Sequence, residues 1–461
     1  MNRTLIKDTV KSIGKEVLIK GWVVSRRDHG KIAFLDVRDF SGIIQVVVQV
    51  VVVEKSNAGE WDVIEINGLI KERPEKLWND KMITGKIEIE AKEVKILSKS
   101  EVPPIPIDTD GLDINEDLRL KYRYLDLRRD RMRNNLRIRQ EFKNLIREFL
   151  IKRDFTEIST PILTKSTPEG ARDFLVPSRL NKGKFYALPQ SPQQYKQLLM
   201  VAGVERYFQF PRCFRDEDLR GDRMLEFEQL DIEMSFVAQE EILQMMEELA
   251  ILITERLGKK VQEKPFPRMT YKEVMEKYNS DKPDIRKDKN DKDMAAYMWV
   301  TDFPMFEERE DRSIAAVHHP FTAIKEEQKK LLEEKNLSKE KLLNITAQQY
   351  DLVLNGFEIA GGSIREHNKD ILAKVFETMG HKKDDIQAQF GHLLEAFKYG
   401  VPPHGGIASA VERWLQALLS EVSIREVVAF PTSGKGNTAV MDSPSKVSDK
   451  QLKELGIKID E

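Results

Sequence analysis

Apolar and polar positions alternate along the first hundred residues. VLIKGWVVSRR (17–27), KIAFLDVRD (31–39) and GIIQVVVQVVVV (42–53) are β-branched runs separated by Asp-His-Gly and Phe-Ser-Gly turn signals. VIEINGLIKE (63–72) and GKIEIEAKEVKIL (85–97) continue the pattern. Five short strands predict a small closed β-barrel, with the oligonucleotide-binding fold as leading candidate. The valine run Val46 to Val53 reads as a buried strand, an aggregation hazard if exposed. Ser100 to Gly111 is a Pro-rich linker.

Past the linker the period changes. Leu136, Phe142, Ile146 and Phe149 recur at helical spacing and predict a long helix from near Arg131, and EEILQMMEELAILITERLG (240–258) predicts a second. FYALPQ (185–190), RYFQFPRCF (206–214), LEFEQLDIEMSF (225–236) and NGFEIAGGSIR (355–365) read as hairpin-linked strands without regular β-α alternation. The expected class is therefore α+β: an N-terminal five-stranded barrel, then an antiparallel sheet flanked by helices. The divisions are 1–102 for the barrel, 103–131 for a hinge and 132–461 for the second domain. The polar run from Asn279 to Asp293 reads as a loop.

Composition narrows this little. Lys and Arg number 75 against 77 Asp and Glu, a net charge of -2, so bulk charge calls for no nucleic-acid partner, although the average would hide a local basic face. The basic cluster from Arg119 to Arg139 is open between a solvated helix face and a nucleic-acid or interface role. The single cysteine, Cys213, excludes an internal disulfide and a Cys-rich zinc site. No apolar stretch approaches the ~20 residues of a membrane span, so a cytoplasmic protein is expected. The glycine clusters AGGS (360–363) and HGG (404–406) match neither a phosphate-binding P-loop nor GxGxxG. Any nucleotide phosphates must then be held by arginines.

Ordered motifs supply the rest. FRDEDLRGDRMLEF (214–227) followed by Asp231 resembles motif 2 of the class II aminoacyl-tRNA synthetases. GIASAVERW (406–414) resembles their motif 3, and FTEISTPILTKSTPEGARDFLV (155–176) is similar to motif 1 leading into the substrate loop. QSPQQYKQLLM (190–200), HHPFT (318–322) and YDLVLNGFEIAGGSIR (350–365) narrow the resemblance to the bacterial-type aspartyl-tRNA synthetases. The barrel, RYLDLRR (123–129) and AFPT (429–432) fit the same family, so the likeness covers nearly the whole chain.

The resemblance implies activation of aspartate by ATP, with pyrophosphate released and the aminoacyl group passed to a tRNA. Arg215 would bind the α-phosphate, Glu217 the adenine amino group, and Phe227 and Arg413 would sandwich the adenine, with Arg413 reaching the γ-phosphate and Ala410 beside the nucleotide. Asp351 and Glu358 would hold Mg²⁺. Lys196 and Arg365 would face the substrate side-chain carboxylate, two cations that exclude a neutral amide. Glu169, Gln193 and Asp231, supported by Ser191, would take the α-ammonium end. His318 would close over the substrate, ahead of its neighbour His319. On the barrel, Phe34 would stack an anticodon base, Gln45 read a base edge and Arg27 contact the RNA. His29 resembles the relaxed members that charge tRNA-Asn as well as tRNA-Asp. A homodimer is implied by motif 1, and no membrane or DNA partner.

Some positions depart from the family. Met224 stands where glutamine is usual, and Ala360 and Ala410 replace glycines near the nucleotide, which puts ATP affinity in question. The usual bacterial inserted domain is reduced to a short loop near 287–297. Two other readings stay open here: an asparagine- or lysine-specific relative, and a non-catalytic RNA-binding paralogue that kept the barrel.

Overall fold

Strands β1 (Glu16–His29), β2 (Ile32–Asp39), β3 (Gly42–Gln49), β4 (Val63–Glu72) and β5 (Ile87–Ser98) close into a barrel in the order β1-β2-β3-β5-β4. The computed structural model describes residues 2–49, 57–166, 171–219, 221–334 and 337–459. It divides into two compact units, Met1–Ile107 and Asp108–Glu461. The period-two pattern sorts the barrel strands: Ala33, Leu35 and Val37 point into the core with Ile44, Val46, Val48, Ile64 and Ile89, while Phe34 and Asp36 face outward. Val46 to Gln49 form the end of β3, with Val46 and Val48 buried, Val47 partly buried and Gln49 exposed; Val50 to Val53 lie outside the described residues.

The second unit is built on a nine-stranded sheet. Its strands are β6 (Thr156–Glu157), β7 (Arg206–Gln209), β8 (Arg212–Phe214), β9 (Glu226–Ser235), β10 (Arg268–Thr270), β11 (Tyr297–Thr301), β12 (Gln349–Leu354), β13 (Phe357–Ile364) and β14 (His404–Ala410). They run in the order β10-β11-β12-β13-β14-β9-β7-β6, with β8 paired to β9. The interior is antiparallel, but both edge pairs, β10·β11 and β6·β7, are parallel. Parallel neighbours need a crossover, and the long stretches between those strands supply one. A tight hairpin joins β12 to β13 through Asn355 and Gly356, both at positive φ (51° and 89°), as an Asn-Gly turn requires. Strand β14, far away in sequence, enters between β13 and β9.

Helix α1 (Asp130–Ile151) starts one residue before the expected position, and α2 (Gln193–Val201), α3 (Gln239–Arg256) and α4 (Val411–Leu419) follow. Phe142 of α1, Met246 and Ile253 of α3 and Trp414 of α4 share one core with Leu230, Ile232, Trp299 and Leu352 of the sheet. Phe142 meets Trp414 edge-on at 5.1 Å. The polar loop runs from Asn279 to Asp293 as expected; the loop near 287–297 ends sooner than 297, because Met294–Ala295 pairs with Lys260–Val261 and Tyr297 begins β11. The Lys259–Asp293 ion pair (2.7 Å) clasps its base. Among the described residues no helix is long and apolar enough to cross a membrane.

Part of the basic cluster is neither a solvated face nor an open interface. Arg119, Arg123 and Arg129 are buried around Asp126, whose carboxylate accepts from all three at 2.7–3.0 Å. Glu426 accepts from Arg119 (2.7 Å) and Arg131 (2.8 Å), while Arg123 donates to the carbonyls of Arg425 and Val428. Residues 119–131 thereby hold residues 425–428, which follow α4. Removing one partner strands the other charges in low dielectric. Asp126→Asn is accordingly expected to destabilise the protein by ~3–5 kcal/mol in urea unfolding.

Candidate functional site

Strand β9 is where the sheet turns chemical. Its even-numbered Leu230, Ile232 and Met234 enter the core beneath the helices, which sends Phe227, Gln229, Asp231 and Glu233 to the opposite face. That face forms the floor of a cavity of about 290 Å³. Every candidate substrate, nucleotide or metal residue of the second domain lines it, except Glu169, which lies outside the described residues.

At one end four charges interlock. Lys196, on α2, donates to Asp231 at 2.7 Å and reaches Glu233 at 3.1 Å. Arg365 forks onto both oxygens of Glu233 (2.9 and 3.1 Å) and donates to Ser363 at 2.7 Å. The two cations therefore do not face the cavity as bare charge; two buried acids already balance them. Sequence reading missed Glu233, although its period-two relation to Asp231 was a usable signal. Burial opposes charge on Glu233, yet Arg365 and Lys196 hold its pKa down to about 2. Burial pushes Asp231 the other way, above the ordinary carboxylate value, against the pull of Lys196. Its second oxygen, near the Tyr207 hydroxyl, is buried without a well-formed hydrogen bond. Gly406 makes the quartet possible: a Cβ there would lie 2.0 Å from a Glu233 oxygen.

At the other end stand two arginines. The Arg215 guanidinium lies 5.1 Å from the Phe227 ring centre, and Arg413 donates to the Glu358 carbonyl at 2.9 Å. The Nε atoms of both are buried with no hydrogen-bond partner among the described residues, leaving donors for an anionic ligand. Glu217 accepts from Arg223 at 3.3 Å. Met224, Ala360 and Ala410 line the same cavity, Met224 fully buried. A clamp unseen in the sequence braces these walls. Arg139 of α1 bonds Glu228 (2.9 Å) and Glu412 (2.6 Å), the neighbours of Phe227 and Arg413, and Glu412 also accepts from the Glu228 amide.

Between the ends, Asp351 of β12 and Glu358 of β13 converge across the hairpin. Burial, then the nearby Asp351 charge, raises the Glu358 pKa, against the pull of Arg413, His318 and Lys282. Among the described residues no three His, Cys, Asp or Glu side chains cluster as metal ligands. Two carboxylates lining the cavity suit a hard cation that takes its other ligands from substrate and water. His318 turns to this pair, its Nε2 3.3 Å from Asp351, rather than to the Lys196–Arg365 end. Burial disfavours its charge, but Asp351 and Glu358 raise its pKa. His319 is the one held neutral: burial and the cations Arg365, Lys196 and Arg215 push its pKa well down.

On the barrel, Phe34 lies outside the core, opposite Arg27 in register, with the His29 ring edge-on at 5.6 Å. Gln45 stands opposite Asp36 on the next strand. Arg27 is bidentate to Asp36 (2.8 and 3.2 Å), and Gln45 donates to Glu88 at 3.0 Å. The four expected contacts share one face, with Asp36 and Glu88 as unforeseen members.

Residues 115–434 match the model of the class II tRNA synthetases (D, K and N), and residues 17–97 that of the OB-fold nucleic acid binding domain. The chain is 40% identical to the aspartate–tRNA(Asp/Asn) ligase of Rubrobacter xylanophilus, over 97% of this chain and 95% of the relative. It is 37% identical to the aspartate–tRNA ligase of Staphylococcus saprophyticus, over 97% of each. The Rubrobacter alignment spans 578 positions, more than this chain's 461 residues, so stretches of the relative stand opposite gaps. In fold the chain is similar to asparaginyl-tRNA synthetase from Pyrococcus horikoshii complexed with asparaginyl-adenylate, with a TM-score of 0.74 and 21% identity over 94% of this chain and 98% of that one. It also resembles aspartyl tRNA synthetase from Entamoeba histolytica (TM-score 0.72, 22% identity, 94% and 91% covered).

The charge quartet makes a prediction about acid stability. With its pKa depressed to about 2, Glu233 contributes stability in full above the unfolded value of ~4.3, and that contribution is lost as pH falls toward 2. Glu233→Gln is expected to cost ~3–5 kcal/mol at neutral pH and to flatten the acid side of the stability curve, read by urea unfolding across pH.

Proposed function

The chain belongs to the class II tRNA synthetases of the aspartate, lysine and asparagine group, and from this premise we propose that it is an aspartate–tRNA ligase. The observation that carries the reading is the joining, in one cavity, of the Lys196–Asp231–Glu233–Arg365 quartet with the donors of Arg215 and Arg413. The quartet suits a zwitterionic amino acid with an acidic side chain. Its carboxylate is received by Lys196 and Arg365, while Asp231 and Gln193, with Ser191 and Glu169, meet the α-ammonium group. His319 stands nearer this end than His318.

In the first step an oxygen of the substrate α-carboxylate attacks the α-phosphorus of ATP, and pyrophosphate leaves. Arg215 stabilises the charge that gathers on the phosphoryl oxygens, and no side-chain nucleophile is needed. Phe227 and Arg413 enclose the adenine, Glu217 accepts from its amino group, and Ala410 lines the nucleotide wall. Asp351 and Glu358 would hold Mg²⁺, which would supply positive charge to offset that of the phosphates. In the second step a hydroxyl of the tRNA terminal adenosine attacks the aspartyl carbonyl, and AMP departs. The barrel face of Phe34, Gln45, Arg27 and His29 receives the anticodon. The reading takes with it a homodimer and a cytoplasmic place of work, as the resemblance implies. Charging of tRNA-Asn besides tRNA-Asp is supported by His29, which resembles the residue of the relaxed members of the family.

ATP–pyrophosphate exchange should be driven by aspartate and not by asparagine or lysine; exchange with asparagine alone would sink the assignment. Purified tRNA-Asp and tRNA-Asn transcripts, charged side by side, should both accept aspartate. A tRNA-Asn left uncharged would leave the ligase reading standing and remove the relaxed specificity. Lys196→Ala should cut aspartate activation by about a hundredfold or more while ATP binding holds, since buried Asp231 loses its cation and the substrate carboxylate one of its two.

A further inference from the structure

Behind the cavity wall a line of hydrogen bonds runs through buried polar groups. The Nδ1 of His404 lies 2.8 Å from the Pro402 carbonyl oxygen, and its Nε2 lies 3.1 Å from Nε2 of Gln197. The Gln197 carbonyl oxygen in turn accepts from Nε2 of Gln193 at 3.2 Å. His404 and Gln197 are fully buried, and Gln193 is the member that lines the cavity. Gln193 and Gln197 meet because they stand one helical turn apart on α2, with Lys196 beside them.

The direction of this line is determined from its far end. A carbonyl oxygen only accepts, so Nδ1 of His404 must carry the proton. In the neutral ring Nε2 is then an acceptor, and Gln197 must offer its amide nitrogen. That turns the Gln197 oxygen toward Gln193, which must also present nitrogen there. The carbonyl oxygen of Gln193 is left on the side away from Gln197. We infer that His404, acting through Gln197, is a positioning residue that orients the Gln193 amide so that its oxygen serves as an acceptor for the substrate α-ammonium group. The inference deepens the function proposed above and rests on its placing of Gln193.

The line is reversible in principle. A protonated His404 has two donors, which would turn Gln197 over and bring the Gln193 nitrogen to the substrate side, where it repels an ammonium group. The charged groups that face His404 are Glu233 on β9 and Arg365 and His367 after β13, and the Phe397 ring stands edge-on at 6.2 Å. Burial leads in holding the His404 pKa below the ordinary imidazole value, with Arg365 and His367 adding to it against Glu233. Neutral pH thus keeps the substrate-ready orientation.

The test uses the full chain in ATP–pyrophosphate exchange, with succinate, which lacks the ammonium group, as a competitive inhibitor. Gln197→Met should raise the KM for aspartate about tenfold while the KM for ATP and the inhibition constant of succinate stay within about twofold. Gln197→Glu accepts from both neighbours, so it should abolish the rise of aspartate KM on the acid side of the wild-type profile. Equal weakening of aspartate and succinate in Gln197→Met would overturn the inference. So would an unchanged aspartate KM in Gln197→Met when Gln193→Met raises it, an outcome that leaves the proposed role of Gln193 intact. No effect from Gln193→Met would remove that role and the inference with it. Should Gln197→Met fail to fold, ¹⁵N spectra of wild-type histidines decide: His404 should be protonated on Nδ1 and bare on Nε2 at neutral pH, and the opposite tautomer overturns the inference.

Discussion

A carboxylate buried among strands is tolerable only when cations and hydrogen bonds replace the water it has lost, and Glu233 is such a carboxylate. Its fork onto Arg365 ties β9 to the end of β13, and its contact with Lys196 ties both to α2. Gly406 on β14 is bare because the carboxylate passes over it. Three strands and a helix therefore share one electrostatic joint directly beneath the cavity. An acidic substrate side chain entering there meets cations whose directions are already set, so little reorganisation is left for the binding step.

The nucleotide end is supported from behind in a similar way. Arg139 reaches from the long helix α1 through the helical layer to Glu228 and Glu412. Each acid precedes or follows a residue that faces the cavity, so the two walls are held at one separation by a group that never enters it. The Asp126 cluster does the same for the chain after α4. Residues that look like surface charge in a list of basic positions are here internal fasteners. What sets Arg215 and Arg413 apart from these structural arginines is not burial but that their buried Nε donors have no hydrogen-bond partner among the described residues and lie at the cavity.

Much of the architecture was legible in the residues because it is periodic or local. The barrel follows from alternating β-branched runs and their turn signals, α1 from Leu136, Phe142, Ile146 and Phe149, and the β12–β13 hairpin from Asn355-Gly356. Motif order made the cavity residues recognisable, since their spacing survives whatever the loops do. The parallel edges and the insertion of β14 between β13 and β9 were not legible, because strand partners far apart in sequence leave no mark on either one. The polar loop Asn279 to Asp293 was legible, but the loop near 287–297 expected in place of the inserted domain overlaps Met294–Ala295, which becomes a strand only when Lys260–Val261 is there to pair with it.

By itself the sequence determined which side chains are available and which face of each strand they occupy, since period and local turn chemistry are properties of neighbours along the chain. Only the tertiary structure decided how those side chains spend their charges. Lys196 and Arg365 are balanced by Asp231 and Glu233, His318 turns to Asp351, and His404 reaches Gln193 through Gln197. Pairing in a low-dielectric interior depends on distance and burial, and both arise from strands and helices that meet after long excursions of the chain.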